Sequence, residues 1–163
     1  VTDTNAAVER LRQLLALVAR EEFHLLGVRE RLFGGLPDAQ LTEAWLRHTL
    51  TTPEGIDRLE SFGAKFGRMQ DTLIDKLLPA LLRASAEQPG SALDNLHRAE
   101  RLGLLQHADD WPAMRLVHNR LVHEYFERPE AMLPALRSAR HFVDTLCAAH
   151  GAMRAYAQSR FGD

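Results

Sequence analysis

Residues 4–33, TNAAVERLRQLLALVAREEFHLLGVRERLF, place apolar side chains at Val8, Leu11, Leu14, Leu15, Val18, Leu25 and Val28. Spacings of three and four over thirty residues draw one apolar stripe along a single long helix, a pattern that no strand can present. Asp3 or Thr4 is placed to cap its start, and Gly34-Gly35 is placed to stop it. Such a helix must bury its stripe against another element, and the rest of the chain supplies further helices. Asp38 is expected to cap a shorter helix, AQLTEAWLRHTL, with Leu41, Trp45 and Leu46 turned inward. After Pro53, Ile56, Leu59, Phe62, Phe66, Met69, Leu73 and Leu77 recur at helical spacing, with Pro79 expected to bend or interrupt the far end. QPGS (88–91) is a break, and Ser91 is expected to cap ALDNLHRAERLGLL. QHADD leads into Trp111-Pro112, where proline suits a first helical turn. Pro129 then opens a last long helix. No segment alternates with period two over strand length. The fold class that follows is all-α: an antiparallel up-and-down bundle of four to five main helices, formed by residues 1–163 as one domain.

Gly63 and Gly67, four apart in the second long helix, each cost about 1 kcal/mol relative to alanine. Close approach of another backbone, within the bundle or across a dimer, is the expected compensation. The nearby QDTLIDK turn sets Asp71 and Asp75 beside Lys76 and reads as a surface ion pair. The charged runs of the first helix (ERLRQ, REEF, VRERLF) read as its solvated face, and the Trp, Phe and Met positions as core.

The net charge of −2 and a pI near 6.5 exclude a global field that would attract nucleic acid. Any RNA contact must therefore come from a local patch. One cysteine, Cys147, allows neither an intrachain disulfide framework nor a Cys-rich zinc site and fits a reducing, cytoplasmic setting. No apolar run reaches the roughly 18 residues of a membrane span, so no membrane partner is expected.

The densest polar stretch is RLVHNRLVHEYF, residues 115–126. Its two histidines, His118 and His123, lie five apart, about 140° around a helix, so they do not close on one ion. No metal and no cofactor is expected. Arg115, Asn119 and His123 advance in steps of about 40° and share one face, whereas His118 and Tyr125 share another. This concentration of polar groups points to a site at a groove or a subunit interface.

HNRLVHEYF resembles the signature of HEPN domains, in particular the HepT-like, nucleotidyltransferase substrate-binding branch, whose pattern is Arg-Asn-x-x-x-His-x-Tyr. Asn119, His123 and Tyr125 match at the right spacing. The segment RLESFGAKFGRMQDTLIDKLLPALL and the approach from Trp111 to Arg115 are also similar, so the resemblance spans roughly residues 55–127. It implies a HEPN-like bundle, a homodimer with motif helices facing across the twofold, and a toxin–antitoxin pairing with a small MNT-type nucleotidyltransferase. In active members it further implies metal-independent RNA cleavage. The His would move a proton and the Arg would stabilise charge on the phosphorane-like transition state. Asn would orient the motif. The tyrosine position, here Tyr125, would accept a nucleotide from the partner enzyme and block RNA.

This chain departs from the pattern at one place, because the family's arginine slot holds His118. Histidine lacks the planar fork that grips phosphate and is cationic at neutral pH only if its pKa is raised. Three arrangements stay open. His118 and His123 form an acid–base pair across a dimer, Arg115 supplies the missing guanidinium from the adjacent turn, or nuclease activity is lost and the chain is a nucleotide- or substrate-binding subunit.

Overall fold

The computed structural model describes residues 2–123 and 128–162, and every regular element among them is helical. Helix α1 spans Thr2–Phe33, α2 Glu43–Thr49, α3 Pro53–Thr72, α4 Leu78–Ala84, α5 Ala92–Arg101, α6 Asp110–His123 and α7 Met132–Phe161. The all-α expectation holds for these residues. None of the helices is long and apolar enough to cross a membrane.

The long helices pair antiparallel, and their polar clasps show the register. From its start to its end, α1 meets α7 in reverse order. Arg12 donates to the carbonyl of Phe161 at 3.3 Å, Glu22 meets His150 at 3.0 Å, and Arg29 pairs with Asp144 at 2.7 Å. Arg140 closes the series with its guanidinium 5.1 Å from the Phe33 ring centroid. Helix α3 runs back along α1, with Phe62 edge-on to Phe33 and Thr72 donating to Glu21 at 3.0 Å. Helix α6 then packs on α3 and α7. The apolar stripes close on one core, in which Leu11, Leu14, Val18, Leu25 and Val28 of α1 are all buried. A string of aromatic rings crosses it: Trp45, Phe33, Phe62, Phe66, Phe142 and Trp111, successive centroids lying 5.2 to 6.2 Å apart. Such pairs add roughly 0.5–1.5 kcal/mol each beyond the area they bury.

Several helix ends differ from the sequence expectation. Asp3 and Thr4 lie inside α1 rather than capping it. Gly34 does end it, at φ +52 with its N–H on the Glu30 carbonyl. Asp38 caps no α-helix. It sits in a 3₁₀ turn, Asp38–Gln40, where its carboxylate holds His141 at 2.6 Å and Arg140 at 3.7 Å on α7. The cap of α2 is Thr42, whose Oγ1 accepts from the Trp45 amide. Thr42 takes the role because its extended backbone aims the hydroxyl at the first turn. Ser91 caps α5 as expected, its Oγ accepting from the Asp94 amide.

Pro79 does not end its helix. A proline at this position clashes with the carbonyl of residue 75 in a regular α-helix and offers it no N–H. The chain widens instead into a π turn, Leu73–Leu77, in which the Leu78 amide bonds the Leu73 carbonyl five residues back. Helix α4 continues beyond it with Pro79 in its first turn.

Candidate functional site

Helix α6 carries the residues that the sequence singled out. It begins beneath buried Trp111, whose main-chain carbonyl accepts from Nε2 of fully buried Gln70 on α3. That anchor and buried Leu121 fix the face that α6 turns to α3. The face between them holds His118, and Gly67 of α3 is what makes room for it. A Cβ built on Gly67 would lie 2.0 Å from His118 Nε2 and 2.3 Å from its Cδ2. The tip of the imidazole therefore rests against the bare backbone of α3. The close approach expected at the glycine pair is thus within one chain and involves a side chain rather than a second backbone. Gly63 needs no such explanation, because a Cβ there would meet Leu121 Cβ at an ordinary 3.7 Å.

One turn earlier, Arg115 reaches across to the same helix pair. Its Nη2 lies 2.7 Å from Asp75 in the π turn and 3.9 Å from Asp71 at the end of α3. Asp71 and Asp75 are therefore not partners of their own turn's Lys76, as the local sequence suggests, but of an arginine forty residues on. Lys76 acts instead on Glu21, whose pKa burial raises above its ordinary value against the downward pull of the Thr72 hydrogen bond and of the Arg68 and Lys76 charges. The Arg115 pair is about half exposed, which limits its contribution to roughly 1 kcal/mol or less.

Burial pushes the His118 pKa below its ordinary 6.5. The Asp71 charge acts in the opposite direction, and His123 adds a smaller downward push. A downward shift means that His118 is neutral at neutral pH. It can accept a proton there, but it does not present the fixed positive charge of an arginine.

Asn119 and His123 are exposed, and neither makes a side-chain hydrogen bond among the described residues. With Leu116 (63% exposed) and Arg120 they occupy positions i, i+3, i+4 and i+7, one solvent-facing stripe of α6. His123 is the last described residue of α6. Tyr125 lies outside the described residues. Thus Arg115 and His118 are gathered with Asp71 and Asp75 against α3, whereas Asn119 and His123 stand on the open face beside them. Among the described residues no cluster of three or more His, Cys, Asp or Glu side chains could hold a metal ion.

Other polar groups went unread in the sequence. His150 is 1% exposed, meets Glu22 through Nδ1 and leaves Nε2 with no described partner. Cys147 shares that carboxylate and is pushed up to about 12 by burial and by the Glu22 hydrogen bond and charge. The signal for this cluster was weak: EE at 21–22 and C-x-x-H at 147–150 look like surface charge and core until α1 and α7 are aligned.

Comparison with known protein families, with curated proteins and with solved structures yields no match for this chain.

Proposed function

We propose that the chain is a HEPN-type, HepT-like subunit that works with an MNT-type nucleotidyltransferase. Within that reading we favour a nucleotide- or substrate-binding role over RNA cleavage. The motif resemblance at Asn119, His123 and Tyr125 supports the family, and the all-helical bundle is compatible with it. One observation carries the choice of role. The guanidinium that the sequence offers in the arginine's stead, that of Arg115, is already engaged by Asp75 and Asp71, while His118 itself is held neutral. Phosphoryl chemistry without a metal needs a cation aimed at the developing charge. Neither residue offers one in this arrangement. The open face of α6 remains useful for binding: the Leu116–Asn119–Arg120–His123 stripe is exposed and mixes one large apolar group with donors. That composition suits a second copy of the chain or a protein partner.

The test is expression followed by assay of purified protein. A binding subunit leaves growth unimpaired, leaves RNA intact, and co-purifies with a co-expressed MNT-type nucleotidyltransferase. Growth arrest and RNA cleavage, both lost in His123→Ala, would instead establish the toxin reading. Mass measurement in solution decides the homodimer. A wild-type chain that neither cleaves RNA nor engages the nucleotidyltransferase would remove the family assignment.

A further inference from the structure

Phe33, Phe62, Phe66, Phe142 and Trp111 are buried, but Phe23 on α1 is 77% exposed. It stands at the edge of a groove of about 270 Å³ between α1 and α3, with Leu26 and Gly27 as floor and His24, Arg31 and Lys65 as walls. None of the described lining residues is acidic. Two details show how the cations come to face this space. A Cβ on Gly27 would lie 3.0 Å from Arg31 Nη1, so the guanidinium of this exposed arginine folds back along α1 over the bare residue. The Lys65 ammonium donates to Ser61 Oγ at 2.7 Å, which holds it against α3 and leaves two N–H groups to offer. His24 lies beside the phenyl ring, centroid to centroid 6.0 Å and tilted by 58°.

An open aromatic face next to a guanidinium and an ammonium, on an apolar floor, matches a ligand with a flat aromatic part joined to an anion. An apolar docking helix would use the phenyl ring and floor but would leave the two cations unmatched. A nucleotide uses all of them: bases of any sequence stack on aromatic side chains, and phosphate takes the planar fork of arginine or the point charge of lysine.

We propose that this groove binds a nucleobase with its phosphate, the base stacked on Phe23 and the phosphate held by Arg31 and Lys65. The site is separate from that of α6. On α3, Lys65 lies about 160° around the helix from Gly67, and exposed Arg68 falls between them. The inference rests on the chemistry of the groove alone and stands or falls independently of the motif helix. Both a free nucleoside monophosphate and a nucleotide within single-stranded RNA carry this chemistry.

The experiment measures binding of the full chain to AMP and UMP by calorimetry, and to a labelled single-stranded oligouridylate by fluorescence anisotropy at several salt concentrations. Phe23→Ala, Phe23→Trp and the pair Arg31→Gln/Lys65→Gln are compared with wild type. All three positions are wholly or partly solvent-accessible, and circular dichroism verifies folding. Phe23→Ala weakens binding about tenfold or more, whereas Phe23→Trp retains it. The double cation variant weakens binding and flattens its salt dependence. Dependence on Phe23 with mononucleotides supports a free-nucleotide site, and dependence with oligouridylate alone supports a strand site. Wild type that binds neither ligand, or Phe23→Ala that binds as wild type does, overturns the proposal. A dimer that Phe23→Ala converts to monomer with nucleotide affinity unchanged overturns it in favour of a protein contact.

Discussion

Gly67→Ala places a methyl group where the His118 imidazole lies. The new Cβ would sit 2.0, 2.3 and 2.4 Å from three ring atoms, against an ordinary separation of about 3.5 Å, so the ring must withdraw by more than about 1 Å. It can do so by rotating outward, because the colliding atoms are the tip of a side chain rather than backbone. Two energies then oppose each other. Alanine gains about 1 kcal/mol over glycine within the helix, and a side chain driven off its rotamer loses about 0.5–1.5 kcal/mol. Net stability therefore changes by less than about 1 kcal/mol, and the protein folds. The pKa of His118 is what moves. Burial is the largest cause of its depression, so expelling the ring lets it rise toward its ordinary value. The sign carries into stability. A histidine whose folded pKa lies below its unfolded value leaves the unfolded state holding more protons, so stability is full above about pH 6.5 and falls as pH drops through the window beneath it. Gly67→Ala removes part of that fall. Histidine titration by NMR reads the shift, with His118→Gln identifying the resonance among the eight histidines of the chain. A folded variant whose His118 titrates as wild type does, or a loss above about 3 kcal/mol, would refute the packing argument.

Three further outcomes follow from the same geometry. A double-mutant cycle on Arg115→Met and Asp75→Asn gives a coupling of at most about 1 kcal/mol, because both partners are about half exposed; urea denaturation of the four proteins checks it. Cys147, its thiol pushed up to about 12, stays unmodified by a disulfide reagent at pH 8 in native protein and reacts at once in denaturant, followed by absorbance. Glu22→Ala strips the partner from buried His150 Nδ1 and costs about 1–3 kcal/mol in chemical denaturation, whereas Glu30→Ala on exposed α1 surface costs almost nothing.

The fold was legible because its signals are periodic and long. The stripe from Val8 to Val28 and that from Ile56 to Leu77 each name a buried face without reference to any partner. Caps were less legible: Asp38 and Thr42 are both good N-cap residues, and only the docking of Asp38 onto His141 and Arg140 decides between them. The candidate site was legible as a helix and not as an arrangement. The segment 115–123 shows which residues share a face of α6, but it cannot show that Asp71 and Asp75 take Arg115 away, or that Gly67 receives His118. Those are relations between helices forty or more residues apart. The exposed Phe23 was misread for the opposite reason. The REEF stretch looks solvated, and it is, but the ring is solvated along with the charges.

The π turn at Leu73–Leu77 can also be described as a phase shift. Before it, the large apolar side chains are buried singly, at Leu59, Phe62, Phe66 and Met69, the last three each beside a buried Gly63, Gly67 or Gln70; after it, burial falls on adjacent leucines, Leu77–Leu78 and Leu81–Leu82. The wide turn holds one residue more than an α-helical turn would, and that residue sets the rotation of everything downstream. Deleting one residue there would restore a regular helix and swing α4 by about 100° relative to α3. The leucines would leave the core, and Asp75 would leave Arg115. The same deletion in the 86–90 connection would be absorbed by the loop. Chain length is therefore a strict variable within these five positions and a loose one a dozen residues later.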